Sequence, residues 1–137
     1  MGIVRDEITL KNVKDAFKVE VGLIKAEEIR QTTVMALVDT GAITLVINEE
    51  LREQLGLKVQ GERQVTLAND MKEMAKVAEP VQVHWKNRSM ICNPLVVSSN
   101  GDILLGAIPL EDMDLMVDPV RQALTGAHGD EIVSIIK

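Results

Sequence analysis

Short apolar segments separated by polar residues run along most of the chain, and this pattern predicts a mostly β fold. Apolar and polar residues alternate over residues 16–24, which predicts a half-buried strand. Residues 32–40 and 93–99 are more densely apolar, as is typical of core strands that are buried on both faces. The apolar side of the first strand would carry Phe17, Val19, Val21 and Leu23.

A short helix is predicted over residues 48–56. Asn48 is a suitable N-cap, and Glu49 and Glu50 place negative charge in the first turn, where the helix dipole favours anions. Gly56 follows as a helix stop.

A second helix is expected after Gly106. Because proline suits the first position of a helix, the pattern predicts a helix that begins at Pro109 and ends before Asp118. The triplet Gly-Ala-Ile occurs at residues 41–43 and again at residues 106–108, each time after a β segment and before a helix. This repeat suggests two related half-barrels that face each other.

Between the two helices, residues 63–85 predict a β-hairpin. Its tip is placed at Asn69 and Asp70, because both residue types tolerate the left-handed conformation of tight turns. Residues 131–137 are apolar enough to form a strand that needs a partner. That strand could pair with a second copy of the chain or close the barrel of its own chain.

The composition indicates one domain, residues 1–137, with an aliphatic core. Apolar residues make up 46% of the 137 residues, and aromatic residues only 1%. A net charge of −6 without a clustered basic face argues against a nucleic-acid partner. No apolar run approaches the roughly 20 residues of a membrane span, and one cysteine cannot form an internal disulfide. We therefore expect a cytoplasmic protein without membrane contact.

Metal and cofactor chemistry have little support in the sequence. His84, His128 and Cys92 are the only histidines and cysteine, which is too few for a zinc site with regular ligand spacing. The sequence also contains no glycine-rich phosphate loop and no Gly-x-Ser-x-Gly nucleophile motif. We expect neither a metal nor a cofactor.

One acidic residue, Asp39, lies inside the apolar segment MALVDTGAITLVI, residues 35–47. A carboxylate in apolar surroundings is costly unless it is hydrogen-bonded or partly protonated. Asp39 could simply cap a turn, accepting hydrogen bonds from nearby N–H groups while Gly41 supplies a positive φ. The three residues Asp-Thr-Gly alone do not decide between this role and a catalytic one.

The flanking residues favour the catalytic role. Asp39-Thr40-Gly41-Ala42, preceded by Ala-Leu-Val and followed by Ile-Thr-Leu-Val-Ile, resembles the active-site segment of the retropepsin-like aspartic proteases. This is the family of the retroviral proteases and their bacterial and archaeal relatives. Its second motif, two apolar residues followed by glycine, is matched by Leu104-Leu105-Gly106. The motifs occur in the family's order, and the resemblance covers roughly residues 15–118.

The resemblance implies an all-β, single-domain closed barrel and an aspartic endopeptidase. Members carry one Asp-Thr-Gly per chain, so Asp39 would meet its own copy in a homodimer, where the two carboxylates share a proton and activate a water. By the same resemblance, Thr40 would hydrogen-bond across the dimer, and Gly41 would leave room for the substrate backbone. Leu104, Leu105 and Gly106 would support the Asp39 loop from below.

The hairpin would then be the flap that closes over an extended peptide substrate. The residues expected to contact that substrate are Ala42, Ala68, Asn69, Asp70 and Met71.

Two features depart from the retroviral members. Ile43 and Ala107 occupy positions where those members often carry a paired Asp and Arg, so the ion pair is absent as a whole and no unpaired charge remains. The flap region has no glycine between Gly61 and Gly101, which indicates a flap that is either stiffer or shaped for another substrate. The main alternative is a catalytically silent module of the same fold, used for binding or assembly, whose dimer is not the productive one. A regulatory domain with Asp39 as a turn cap is the third possibility.

Overall fold

The computed structural model describes residues 3–67, 69–98 and 101–136. Most of the regular structure is β, and the helices are short. The strands are β1 (Arg5–Asn12), β2 (Gln31–Val38), β3 (Val46–Asn48), β4 (Val59–Thr66), β5 (Lys72–Ala78), β6 (Val81–Trp85), β7 (Arg88–Cys92), β8 (Leu95–Val97), β9 (Ile103–Leu105), β10 (Leu115–Asp118) and β11 (Ala123–Gly126). The helices are α1 (Val13–Glu20), α2 (Glu49–Gln54) and α3 (Ala107–Asp112), and residues Ala26–Glu28 form one 3₁₀ turn.

Nine strands form one sheet in the order β4-β5-β8-β3-β9-β2-β1-β6-β7, and β10 and β11 form a separate hairpin. Strand β2 pairs antiparallel with β1 and parallel with β9, so it lies well inside the sheet. The sheet is curled like half of a barrel, and its pairing in the described residues ends at β4 and β7. The mostly β fold is thus confirmed, whereas the expected closure into a full barrel is not shown.

The core is aliphatic, as the composition predicts. Its largest fully buried apolar side chains include Ile8, Leu10, Leu45, Ile47, Leu55, Leu57, Val81, Val83, Leu105 and Met113. Across the described segments, none of the helices combines the length and the apolar character needed to cross a membrane.

The strand predicted over residues 16–24 is wrong, because residues 13–20 form α1. Buried Asn12 caps this helix: its side-chain oxygen accepts from the Asp15 N–H at 3.0 Å, and its amide donates to Leu55 O at 2.8 Å. Three of the four apolar residues assigned to a buried face are exposed, among them Phe17 by 60% and Leu23 by 72%, and Val19 is half-buried. The Asn12 cap thus favours a helix in spite of the alternation of apolar and polar residues that predicted a strand.

Strand β2 confirms the segment 32–40 but not its burial on both faces. Exposed and half-buried residues alternate along β2, with Met35 55% exposed and its neighbour Ala36 buried. The segment 93–99 contains the shorter strand β8. Strand β2 is therefore covered on one face only, although its sequence is densely apolar.

The first predicted helix is confirmed. In α2 the side chain of Asn48 accepts from the Leu51 N–H at 2.8 Å, and Gly56 has a positive φ of 65° after the last turn. The second helix begins earlier than predicted, since Pro109 is the third residue of α3 rather than the first. The helix also ends at Asp112, because the following residues turn into β10.

The hairpin tip is where the sequence places it. Strands β4 and β5 pair antiparallel, and Asp70 has a φ of 62° in the connecting turn. The hairpin ends at Ala78 rather than at residue 85, because β6 pairs with β1 and β7 instead. Ala68 lies outside the described residues.

Residues 132–136 do not form the predicted strand in the single chain. Only Glu131 makes an isolated bridge, to His128, and the residues after it are exposed, Ile136 by 94%. Pairing of this segment with a second chain stays a prediction.

Candidate active site

The two sequence motifs meet in the structure through the parallel pairing of β2 and β9. Leu37 lies opposite Leu104, and Val38 lies opposite Leu105. Asp39 follows at the end of β2, and its N–H donates to Leu105 O at 3.0 Å. The position of the acidic residue is therefore fixed by a segment that is distant in sequence.

The repeated Gly-Ala-Ile triplets also lie side by side. The N–H of Ala107 donates to Ala42 O at 2.8 Å, and the N–H of Ile108 donates to Ile43 O at 3.0 Å. Together with the Asp39 bond, these contacts join the loop after β2 to the end of β9 and the start of α3 through three backbone hydrogen bonds. The loop is thus held as part of the sheet structure.

Gly106 allows this close approach. A Cβ at this position would lie 2.6 Å from Ala42 O and 2.7 Å from Thr44 N, and nearer still to Thr44 O. These are backbone atoms, which cannot rotate away as a side chain could. Leu105 is buried beneath the loop, and Leu104 is half-buried. All three predicted support residues therefore adjoin the Asp39 loop, and their role in supporting a catalytic site stays a prediction.

The Asp39 side chain forms a local turn and keeps one oxygen open. Its Oδ1 accepts from the Gly41 N–H at 2.9 Å, and its carbonyl oxygen accepts from the Ala42 N–H at 3.1 Å. Within the described residues, Oδ2 has no hydrogen-bond partner. Asp39 and Ala42 are half-buried, whereas Thr40 and Gly41 are exposed. The carboxylate can therefore receive a further group from outside the chain.

The positive φ proposed for Gly41 is wrong, since among the described glycines only Gly22, Gly56 and Gly129 have that conformation. A Cβ on Gly41 would instead lie 3.1 Å from Asp39 Oδ1. Glycine therefore suits this turn because a side chain would crowd the Asp39 carboxylate, and not because the backbone is left-handed.

The other predicted substrate contacts lie at the hairpin tip. Asn69, Asp70 and Met71 are exposed there, and the Asn69 side chain accepts from the Met71 N–H at 3.1 Å. In the described part of the chain, no hydrogen bond joins this tip to the Asp39 loop. The structure thus brings together residues 39–43 and 104–108, and in the described residues no hydrogen bond connects them to the tip.

Two exposed residues where the Asp39 loop meets the start of α3 are apolar. Ile43 is 60% exposed and Ile108 is 49% exposed, and their backbones are hydrogen-bonded to each other. Ile43 stands where retroviral members often carry an acidic residue, so the missing ion pair is replaced by an open apolar surface beside the acid. Sequence reasoning noted the replacement but did not include Ile108 in the site.

Sequence reasoning also missed the support given by Cys92. This thiol lies close to Thr44 and Leu45, just after the Asp39 loop, and burial raises its pKa to about 11. The thiol therefore stays neutral and serves as a packing group below the loop. No pattern in the sequence around Cys92 indicates this contact.

Comparisons with known proteins agree with this geometry. The family model described as aspartyl protease matches residues 26–108, which include both motifs. The retroviral protease-like domain of Ddi1 from Leishmania major is similar in structure, with 20% identity, a TM-score of 0.50, and coverage of 69% of this chain and 78% of that chain. A retropepsin-like aspartic protease from Rickettsia conorii matches with 17% identity, a TM-score of 0.47, and coverage of 86% and 89%. No curated protein sequence matches the chain.

At 20% identity, the Leishmania structure is evidence for the fold alone. The family model reaches further, because it covers more than half of the chain and contains both Asp39 and Gly106. This protein therefore belongs to the aspartyl protease family and has a retropepsin-like fold.

Proposed function

We propose that this protein is an aspartic endopeptidase that works as a homodimer and hydrolyses peptide bonds in extended substrates. The observation that carries the proposal is the fixed position of Asp39, whose backbone is bonded to Leu105 while Oδ2 stays open. A turn cap alone would not need the additional backbone pairing of residues 42 and 43 with residues 107 and 108.

The chemistry requires a second acid, and one chain supplies a single Asp39 in this loop. A two-fold symmetric dimer brings a residue on its axis against its own copy. As is established for aspartic-protease dyads, two adjacent carboxylates then share one proton. The ionised member would deprotonate a bound water, and the protonated member would polarise the scissile carbonyl and then protonate the leaving amine.

The neighbouring residues take roles that follow from their exposure. Thr40 is exposed in the single chain and would hydrogen-bond across the dimer. Gly41 would admit the substrate backbone beside Asp39, with Ala42 next to it. Ile43 and Ile108 would be covered by the partner or by substrate side chains, since burial of exposed apolar surface favours association.

The flap would supply the other side of the cleft. Asn69, Asp70 and Met71 are exposed at the end of a long hairpin whose strand β4 has little buried surface. An extended peptide would bind between this tip and the Asp39 loop through backbone hydrogen bonds. Movement of the hairpin would admit the substrate and exclude water afterwards.

The test is peptide cleavage between pH 4 and 7 by the wild type, by Asp39→Asn and by a matched control, Asp130→Asn. Asp130 is an exposed acid outside the loop, so the control removes the same charge elsewhere. We expect cleavage by the wild type and the control, inhibition by a statine-type peptide, and no cleavage by Asp39→Asn. Specific activity should fall on dilution as the dimer dissociates.

Circular dichroism and sedimentation separate loss of activity from loss of fold. Asp39→Asn should stay folded, with a loss of at most about 1–2 kcal/mol of unfolding free energy, because only one cap bond is weakened. A wild-type dimer that cleaves no peptide of a diverse library in this pH range would rule out the protease and support the silent binding or assembly module. A strictly monomeric wild type would rule out the shared dyad.

A further inference from the structure

A second concave site lies at the other end of β1 and β2 from Asp39. It is a cavity of about 270 Å³ between α1, Arg30 and the turn after α2. Four basic side chains line it: Lys14, Lys18, Arg30 and Lys58. The chain as a whole carries a net charge of −6, and no basic face is visible in the order of its residues. Folding thus collects positive charge from three separate segments.

Two of the four cations are already paired with buried carboxylates. Arg30 donates to both oxygens of Asp15, at 2.8 and 2.9 Å, and Lys14 forms an ion pair with Glu79. Glu79 also accepts from the Lys58 N–H at 2.8 Å. These hydrogen bonds lower the pKa of Asp15 and of Glu79, so both carboxylates are ionised at neutral pH and use both of their oxygens.

The other two cations are in excess. In the described residues, the side-chain amines of Lys18 and Lys58 make no salt bridge, and Nη1 of Arg30 donates no hydrogen bond. Lys14 and Lys18 are four residues apart on α1 and so share one face of the helix. Four positive and two negative groups leave a surplus of two positive charges around the cavity.

Hydrogen bonds hold Asn12 and Arg30 in place in the wall of the cavity. Asn12 is 2% exposed and uses both its amide oxygen and its amide nitrogen in hydrogen bonds. Gly56 has a φ of 65°, and a Cβ there would collide with Nη1 of Arg30. The Arg30 guanidinium can therefore lie against bare backbone, held in place by Asp15. Such preorganised donors lose little freedom when a ligand binds.

We propose that this cavity, the basic pocket, binds a small phosphate dianion, either free phosphate or a small-molecule phosphate monoester. A ligand of charge −2 balances the surplus of two positive charges, and Arg and Lys donors suit phosphate oxygens. The volume equals that of about nine water molecules at roughly 30 Å³ each, enough for a phosphate with a small substituent. Bound phosphate would join α1 to the turn at Gly56.

The basic pocket is separate from the proposed catalytic cleft. Asn12 and Asp39 lie at opposite ends of the paired strands β1 and β2, and eight residues at about 3.3 Å each place them roughly 25 Å apart. A failure of phosphate binding would therefore leave the protease proposal untouched, and the reverse is also true.

The test is calorimetric titration of the full chain with inorganic phosphate and, in a second arm, with glycerol 3-phosphate, at constant ionic strength set by chloride. We expect saturable binding by the wild type with a Kd below about 10 mM. The double variant Lys18→Gln with Lys58→Gln should bind about tenfold more weakly. The matched control, Lys86→Gln with Arg121→Gln, removes the same charge from exposed sites elsewhere and should bind like the wild type.

Tighter binding of glycerol 3-phosphate would identify a phosphorylated small molecule as the ligand, and equal or weaker binding would identify free phosphate. Absence of saturable binding of both probes to the wild type would overturn the proposal. Equal weakening in the two double variants would overturn it as well, since that result reports net charge rather than the pocket. Circular dichroism of both variants verifies that they are folded.

Discussion

Substitution of Gly106 by alanine tests whether the Asp39 loop depends on the close approach seen at the start of α3. The added methyl group would lie 2.6 Å from Ala42 O and 2.7 Å from Thr44 N, whereas carbon atoms pack without strain at about 3.5–4.0 Å. Neither atom belongs to a flexible side chain. The two backbone segments must therefore move apart by about 1 Å.

The cost follows from what this separation breaks. Inserting a methyl group into a packed site costs typically about 1–3 kcal/mol. The Ala107 and Ile108 hydrogen bonds to residues 42 and 43 would lengthen from 2.8 and 3.0 Å, and each is worth about 1 kcal/mol. We expect Gly106→Ala to lower the free energy of unfolding by about 3 kcal/mol, a large part of the roughly 5–15 kcal/mol of a typical domain.

Urea unfolding followed by circular dichroism measures this loss, and Gly61→Ala is the matched control. No atom lies within 4 Å of a Cβ on Gly61, and its φ is not positive. The control should therefore be neutral or more stable by up to about 1 kcal/mol. If Gly106→Ala unfolds at the same urea concentration as the control, the close approach does not hold the loop and this reasoning is refuted.

Three further substitutions or modifications test other parts of the structure. Asp15→Asn should lower the unfolding free energy at pH 7 by about 2–3 kcal/mol, because Asp15 is buried and bonded to Arg30. Because the Arg30 guanidinium lowers the pKa of Asp15, this stability is present above the ordinary pKa of 3.8 and is lost as the pH falls through the lowered pKa. Urea titrations of the wild type and the variant should therefore give converging unfolding free energies at that low pH. A constant difference between them down to pH 2 would contradict the pairing. Arg88→Met should lower the unfolding free energy by about 3 kcal/mol and speed hydrogen exchange in residues 113–131. The reason is that buried Arg88 donates to carbonyl oxygens in that segment, including that of Asp114. Unchanged exchange would refute this role. Burial raises the pKa of Cys92 to about 11, so iodoacetamide at pH 8 should modify the native thiol more than about tenfold more slowly than the urea-unfolded chain, and equal rates would show that the thiol is not buried.

The parts of the fold that could be predicted are those fixed by local chemistry. The α2 helix has an N-cap, acidic residues in its first turn and a glycine stop within nine residues, and the structure uses all three. The hairpin tip is similarly local, because Asp70 tolerates the left-handed conformation that the turn requires. In the same way, the Asp39 and Gly106 motifs were found from a few adjacent residues each.

The α1 helix was mispredicted because two local signals conflict. Residues 16–24 alternate as a strand would, but Asn12 supplies a helix cap three residues before Asp15. The cap succeeds because Asn12 is also bonded to Leu55, which is more than forty residues away in sequence. No short stretch of sequence around α1 includes both Asn12 and Leu55. The alternation of apolar and polar residues could therefore not distinguish a helix from a strand.

The same limit explains why the basic pocket was not visible in the sequence. Lys14, Lys18, Arg30 and Lys58 are spread over more than forty residues, and acidic residues between them hide the cluster in any local charge count. A motif of adjacent residues reports a site that is built on one loop, as at Asp39. A site assembled from three segments is defined by the packing of Asn12, Arg30 and Gly56, and that packing exists only in the folded chain. Sequence motifs and assembled charge clusters therefore identify different kinds of site, and the second kind requires the structure.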